Sequence, residues 1–380
     1  MKRPVRVVYF DHVASLSGAE ISLLRLLDAL GDRVDATVLL GEDGPLVEAL
    51  SLVGATVAVV PIPQRTRELR RDVAGARPGW RAVTDTARYT AAVASHLRVL
   101  RPDLVHTNSL KAAVYGLAAG RLTRTPVVWH VRDRIAEDYL PAPAVRAVRA
   151  SARVGPSAVI TNSRATLATL PGARRARVVP NAVPSPAELA SPPVGPVRSV
   201  GVIGRLAPWK GQHVFLRAFA RAFPEPSRTR AALIGGALFG EDDYERELQH
   251  LASSLGIEHR TDFLGHLDDP SQARARLDVV VHCSTIPEPF GQVVVEAMAT
   301  GVPVVAAAAG GPAEVITDGR DGLLAPPGDP AALAACLVRL ADDLPLRQRL
   351  VTAGQRRALD FAPARAAAGV LACYDEVLRR

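Results

Sequence analysis

The sequence predicts an α/β chain of two domains, each a parallel sheet covered by helices, with a ligand cleft expected where the two face each other. Three observations predict it. Short β-branched runs alternate with alanine- and leucine-rich stretches of helical length along the whole chain. The strand-like runs, such as "TVAVV", are apolar without strict period-two alternation, as strands buried on both faces are. At 380 residues, 48% hydrophobic and 22% charged, the chain is long enough for two cores of ordinary size.

In order, the first half reads "VRVVYF" as strand, "AEISLLRLLDAL" as helix, "DATVLL" as strand, "PLVEALSLVG" as helix and "TVAVVPI" as strand. A long helix ending near Leu100 follows, then strand "DLVHT", helix "KAAVYGLAAGRL" and strand "PVVWHV". The second half repeats the alternation with "SVGVIGR", "AALIGG", "DFLGH", "DVVVHCS" and "PVVAAA", each followed by a loop and a helical stretch. Between the halves lies "VVPNAVPSPAELASPPVGPVRS", whose five prolines from Pro184 to Pro196 forbid regular structure and mark a linker near residue 190. The domains are therefore placed at 1–185 and 198–365, with 186–197 as linker and 366–380 as a C-terminal helix.

The amino terminus, "MKRPVRVVYFDHV", turns acidic at Asp11 after a short apolar run, which makes it a first strand rather than a signal peptide. The longest uncharged run, Ala297 to Ala313, is broken by Gly301, Pro303, Gly310 and Gly311 and is shorter than the ~20 residues of a membrane span. Cys283, Cys336 and Cys373 are few, odd in number and widely spaced, which argues against disulfides or a zinc site and for packing as small apolar residues in a reducing cytoplasm. The net charge of +8 is uneven: residues 1–180 hold 26 Lys and Arg against 15 Asp and Glu, and residues 181–380 hold 20 against 23. The clusters "RTRELRRD" and "ARPGWR", between Arg65 and Arg81, fit either an anionic partner, such as a membrane surface or an acidic or lipid-linked acceptor, or an ordinary solvated face. Without interleaved aromatics or a recognisable motif they do not point to nucleic acid.

Ligands of open α/β sheets sit at the carboxyl ends of the strands, so the loops there carry the function. In "SVGVIGRLAPWKGQHVFLRAF" a strand ends at Gly204, the loop holds Arg205 and Lys210, and Gly211 precedes a helix. The chain has three lysines, Lys2, Lys111 and Lys210, so a lysine five residues after Arg205 reads as a selected cation. The pair would neutralise a diphosphate, or else be surface charges at a helix start. After "DVVVHCS", Glu288 lies in a loop, Pro289, Phe290 and Gly291 form a turn, and "QVVVEAMAT" is a helix with Glu296 within it. Amides near Gly291, Gln292 and Val293 would receive phosphate, Glu296 would accept from ribose hydroxyls and Glu288 from sugar hydroxyls. A dipole interaction for Glu296 and a turn role for Glu288 are the plain alternatives.

"GRLAPWKG", followed by "EPFGQVVVEAMATGVPVVAAAAGGPAEVI" and "DGLLAPPGDP", resembles retaining glycosyltransferase family 4, of the GT-B fold, over nearly the whole chain. The resemblance implies two Rossmann-like domains facing across a cleft, the C-terminal one holding the nucleotide sugar, and a last helix that crosses back to the first domain. It implies that Arg205 and Lys210 contact the donor diphosphate, Glu296 the ribose and Glu288 the transferred sugar. "SLSGAEISLL" is similar to the family's glycine-rich loop, which would bring Gly18 to the diphosphate, although relatives often carry two or more glycines where this chain has Ser17-Gly18. His130, in "PVVWHVRDR", matches a position close to the reacting carbon and the acceptor, whereas His106, with Asn108 in "DLVHTNS", reads as structural. Asn162, Ser163 and Asn181, in "VITNSRAT" and "VVPNAV", are expected to organise loops.

The implied chemistry is retaining transfer of a sugar from a nucleoside-diphosphate donor, UDP by base rate, to an acceptor hydroxyl in exopolysaccharide, glycolipid or natural-product glycoside synthesis. No Asp-x-Asp motif is present, so a reaction without a metal or other cofactor is expected, with Arg205, Lys210 and helix amides stabilising the leaving group. Catalysis is assigned to Glu288, His130, Arg205 and Lys210. The rivals are a GT-B nucleotide-sugar epimerase or phosphorylase and a non-catalytic sugar-nucleotide sensor. A dehydrogenase is disfavoured because "GVIGRLAPWKG" lacks the dinucleotide fingerprint. Base choice is placed in the loops around Gly235-Gly236 and "FLGHL".

Overall fold

The computed structural model describes residues 3–63, 80–184, 190–191, 193–237, 241–267 and 269–379. The basic segment from Arg65 to Arg81 lies outside them, apart from the backbone of its last two residues.

Two parallel sheets are present, as the apolar runs predict. The first is built from β1 (Val5–Asp11), β2 (Val34–Leu40), β3 (Thr56–Val59), β4 (Leu104–Thr107), β5 (Val127–Val131), β6 (Ala158–Thr161) and β7 (Ala176–Val178). Its order is β3-β2-β1-β4-β5-β6-β7. The second comprises β8 (Ser199–Ile203), β9 (Arg230–Ile234), β10 (Thr261–Phe263), β11 (Val279–His282), β12 (Val304–Ala307) and β13 (Leu323–Ala325). Its order, β10-β9-β8-β11-β12-β13, is the doubly wound order of nucleotide-binding sheets. The order reverses between β1 and β4 in one sheet and between β8 and β11 in the other, and there the flanking loops diverge to leave a crevice at the carboxyl ends of the strands.

Both faces of each sheet are apolar, which is why alternation is absent from the sequence. In the second sheet Val200, Val202, Val279 and Val281 enter one core layer, and Val280, Val304 and Ala306 enter the other. The short strands β6, β7 and β13, with only "AVIT", "ARV" and "LLA" to mark them, were not expected from the sequence.

The chain divides into two compact units, residues 1–182 with 363–380, and residues 183–362. The cuts fall slightly ahead of the ends at 185 and 365 assigned from the prolines and the last helix. The reason is local: Val183 N donates to Phe361 O at 3.0 Å, and both side chains join the core of the second unit. The last helix, Pro363–Leu378, belongs to the first unit, where Ala367, Val370, Cys373 and Tyr374 pack in one core with Leu23 and Leu27. All three cysteines are free; Cys283 and Cys373 are buried and Cys336 is half-buried.

Candidate active site

In the second unit the loops after β8 and β11 are held against each other by backbone. A single turn of 3-10 helix, Pro208–Lys210, leads to Gly211 at φ +76°, the cap of the helix Gln212–Ala222. A Cβ at Gly211 would stand 1.9 Å from Cys283 O, so only glycine allows the two loops to approach this closely. Thr285 N donates to Trp209 O at 2.8 Å, and Cys283 Sγ lies 3.3 Å from Lys210 O. Burial pushes the Cys283 thiol up to about 12, so it is an inert packing group.

This docking brings Lys210 to Glu288. Lys210 Nζ donates to Glu288 Oε1 at 2.7 Å, and His282 Nε2 lies 3.0 Å from the same oxygen. Ser284 Oγ also donates to it. Burial alone would raise the Glu288 carboxyl, but attraction to Lys210, then to His282, outweighs it and holds the group well below the usual carboxylate range. The loop is pinned from the far side as well: Gly311 N donates to Glu288 O at 2.8 Å, and Glu288 pairs with Gly310 in an isolated parallel bridge. The site therefore presents an ionised, nearly buried carboxylate and an ammonium at the point where the strand order reverses.

Glu296 lies in the helix Gln292–Ala299, where Arg274 Nη1 donates to its Oε2 at 2.8 Å and Gln292 Nε2 to its Oε1 at 3.2 Å. Gly291, at φ +84°, caps that helix, and its first-turn amides, including those of Gln292 and Val293, have no carbonyl one turn back within the helix. Phe290 is buried, edge-on to Phe361 at 5.7 Å between ring centres. Arg205 Nη1 lies 3.3 Å from Glu241 Oε2. Both cations flank Trp209, with Lys210 Nζ at 4.7 Å and Arg205 Cζ at 5.8 Å from the ring centre. The two segments singled out for base choice lie side by side, with Gly235 N donating to Gly265 O at 2.8 Å.

In the first unit the crevice between β1 and β4 holds a buried polar network centred on a residue the sequence reading passed over, Arg132. Its Nε donates to Asn108 Oδ1 at 2.7 Å, and its Nη1 to Ser22 Oγ at 2.8 Å and Asn181 Oδ1 at 2.5 Å. Asn108 Nδ2 donates to Asp11 Oδ2 at 2.6 Å. Burial lowers the Arg132 guanidinium to about 10, with Asp11 and Glu20 opposing the shift. His106 Nε2 lies 3.1 Å from His130 Nδ1, and His106 Nδ1 lies 2.7 Å from Tyr374 Oη on the last helix. Burial, reinforced by Arg132, lowers His106 to about 3 and drives His130 well below its usual value, so both rings are neutral. His130 Nε2 is buried without a hydrogen-bond partner among the described residues.

Gly18 opens the helix Gly18–Leu30, and Ser17 Oγ at its cap donates to the side-chain carboxylate of Glu20, three residues on. Burial, then the charge of Asp11, raises Glu20 to about 7. Asn162 Nδ2 donates to Arg132 O at 3.4 Å, and Ser163 caps the helix Arg164–Ala168 by accepting from Thr166 N. Sequence reasoning also missed His282, Ser284 and Arg274. His282 ends β11 as His106 and His130 fall near the ends of β4 and β5, and that strand-end position was the available signal. Among the described residues no group of three or more His, Cys, Asp or Glu side chains is placed to hold a metal ion. None of their helices is long and apolar enough to cross a membrane.

Residues 194–357 match the family model described as glycosyl transferases group 1, and residues 16–185 match the one described as glycosyltransferase family 4. The crystal structure of Anabaena HepE in complex with UDP and glucose superposes with a TM-score of 0.84 at 30% identity, covering 98% of this chain and 99% of that one. The D-inositol 3-phosphate glycosyltransferase of Corynebacterium glutamicum is 34% identical over 182 residues, 47% of this chain and 43% of the relative. The lipopolysaccharide core biosynthesis glycosyltransferase LpsE of Rhizobium meliloti is 33% identical over 171 residues, 44% of this chain and 46% of the relative. The matches to these curated relatives thus span less than half of their length.

Proposed function

The chain belongs to glycosyltransferase family 4 and has its GT-B fold, and from that premise we propose that it transfers a sugar from a UDP-sugar to an acceptor hydroxyl, with retention and without a metal. The observation that carries this reading is the Glu288–Lys210 pair, a carboxylate kept ionised beside an ammonium where the second sheet reverses its strand order. The solved relative's complex with UDP and glucose supports the choice of donor.

In this reading the barrier is departure of the nucleoside diphosphate, whose oxygen gains charge as the anomeric carbon becomes oxocarbenium-like. Lys210, Arg205 and the amides of Gly291, Gln292 and Val293 stabilise that charge, which is what a bound metal does in other transferases. Phe290, packed in the core, fixes the turn from which those amides project. Glu296 accepts from the ribose, and Arg274 holds its carboxylate in place. Glu288, already ionised, accepts from hydroxyls of the transferred sugar. The acceptor oxygen attacks from the face the diphosphate leaves, and the departing phosphate takes its proton.

His130 is assigned to the acceptor, an assignment supported by its buried, unpartnered Nε2, and Gly18 to the diphosphate through the amide end of its helix. An exopolysaccharide or glycolipid acceptor is supported by the relative named for lipopolysaccharide core biosynthesis, whereas the relative named for D-inositol 3-phosphate fits a small phosphorylated acceptor. Three free cysteines fit a reducing cytoplasm.

The test is a product assay with UDP-sugars and candidate saccharide acceptors in the presence of a chelator. Free UDP with an α-configured, lengthened acceptor from an α-linked donor supports the proposal. A rearranged sugar would identify an epimerase, binding without turnover a sensor, and a covalent glycosyl enzyme trapped on Glu288 would replace the same-face mechanism by double displacement.

A further inference from the structure

Three residues other than glycine have positive φ among the described residues, and all three are arginines: Arg101 at 46°, Arg124 at 57° and Arg175 at 44°. An L side chain pays for this conformation with roughly 1 kcal/mol, and glycine or asparagine is the usual occupant of such a position after a helix. Their placement is not scattered. Arg101 lies between the helix Trp80–Leu100 and β4, Arg124 between the helix Leu110–Thr123 and β5, and Arg175 directly before β7. In parallel strands all three loops fall on one edge of the first sheet, the amino-terminal edge, at the opposite end of the strands from the crevice that holds Asp11, His106 and His130.

Two adjoining grooves open on this edge and share Arg124, Thr125 and Pro126. Arg121 lines one, and Arg98 and Arg101 line the other. Arg98, Arg101, Arg121 and Arg124 are all exposed, and none has a side-chain ion pair or hydrogen bond among the described residues. The acid in the grooves, Asp103, is already matched, with Arg3 Nη2 at 2.8 Å and Arg6 Nη2 at 3.5 Å from its Oδ1. Favourable interaction with helix carboxyl ends accounts for Arg98 and Arg121, which sit in last turns, but not for arginine at the left-handed positions that follow. Beside these cations are exposed apolar side chains at the tips of three helices: Val99 at 80%, Leu122 at 60% and Val154 at 70% exposure.

We propose that this edge docks on an anionic phospholipid bilayer, with the arginines on lipid phosphates and Val99, Leu122 and Val154 entering the acyl boundary. Interleaved cations and protruding apolar tips match a headgroup layer better than a soluble polyanion, which offers nothing for the valines and leucine. The surface differs from the Arg65 to Arg81 segment and does not depend on the transferase reading. Docking there leaves the carboxyl-end crevice of the same unit directed away from the lipid.

The test is flotation of the full chain with vesicles of phosphatidylcholine containing phosphatidylglycerol, against pure phosphatidylcholine, at low and high salt. Binding that requires the anionic lipid and falls with salt is expected, with a loss of roughly fivefold in partition coefficient for each arginine removed. Arg101→Gly and Arg124→Gly keep the left-handed backbone, so they should leave thermal stability unchanged or raise it while weakening vesicle binding. Val99→Ser with Leu122→Ser should weaken binding at both salt concentrations. Failure of the wild type to bind anionic vesicles would overturn the proposal, as would vesicle binding unchanged in the double glycine variant or preferential binding to a soluble polyanion.

Discussion

Lys210 Nζ stands 2.7 Å from Glu288 Oε1 across 78 residues of sequence, and the pair exists because Gly211 lets the loop after β8 rest on the carbonyl of Cys283. The two side chains are mostly shielded, at 23% and 11% exposure, and the ammonium is the largest influence holding the Glu288 carboxyl ionised. Glu288→Gln should therefore change the acid response of the protein. The folded carboxyl lies below its ordinary value of 4.5, so its contribution to stability is full above that pH and is lost as pH falls below it toward the folded value. Denaturant midpoints measured from pH 7 down to pH 3 should fall more steeply for the wild type than for the variant. Parallel curves would mean that the pair does not hold Glu288 ionised.

Gly211→Ala places a methyl group against Cys283 O in a backbone conformation that alanine resists. A loss of about 2 kcal/mol or more is expected from strain and displaced backbone together, seen in thermal melts. Nucleotide affinity should fall with it, because Lys210 moves with the loop. An alanine variant as stable as the wild type would show that the two loops are not locked.

The acid side of pH dependence has a counterpart near neutrality. Glu20 is raised to about 7 by burial and by Asp11, so the folded state keeps a proton that the unfolded chain releases near 4.5. Stability from this group is present below 4.5 and is lost as pH rises through about 7, after which the deficit stays constant. Glu20→Gln should flatten the fall in stability between pH 5 and 8. A slope identical to that of the wild type would place the titration elsewhere.

Tyr374 links the last helix to the first sheet, with His106 Nδ1 2.7 Å from its Oη and a hydrogen bond from that hydroxyl to Tyr9 Oη at 3.0 Å. Tyr374→Phe keeps the packing and removes both bonds, leaving buried polar atoms unpaired at a cost of about 1–3 kcal/mol. Hydrogen exchange should then report the loss in residues 3–182 and not in residues 183–362. Equal loosening of both units would contradict the assignment of the helix to the first.

Most of the strands were legible because both faces of each sheet are apolar: "DVVVHCS" and "PVVWHV" have few other places to go, whereas the short β6, β7 and β13 carry too little pattern to stand out. The positions of Glu288 and Lys210 after strands, and of Glu296 within the helix that follows, were legible because local spacing is informative there. Arg132, Arg274 and His282 were not singled out, because their partners are brought to them by tertiary packing. Arg132 meets Asn108, Ser22 and Asn181 only once β1, β4 and β5 are side by side, and nothing in "HVRDR" distinguishes it from the many surface arginines of this chain. Glu20 was visible as part of "SLSGAEISLL", but its burial beside Asp11 was not.

Isothermal titration with UDP, GDP and ADP in the presence of a chelator, on the wild type and on Lys210→Ala, shows whether the Lys210 loop holds a nucleoside diphosphate. Selective binding of UDP without a metal is expected, weakened at least tenfold in the variant, with the folded state of the variant confirmed by its melt. Absence of binding by all three nucleotides, or UDP affinity unchanged by loss of Lys210, would contradict that expectation.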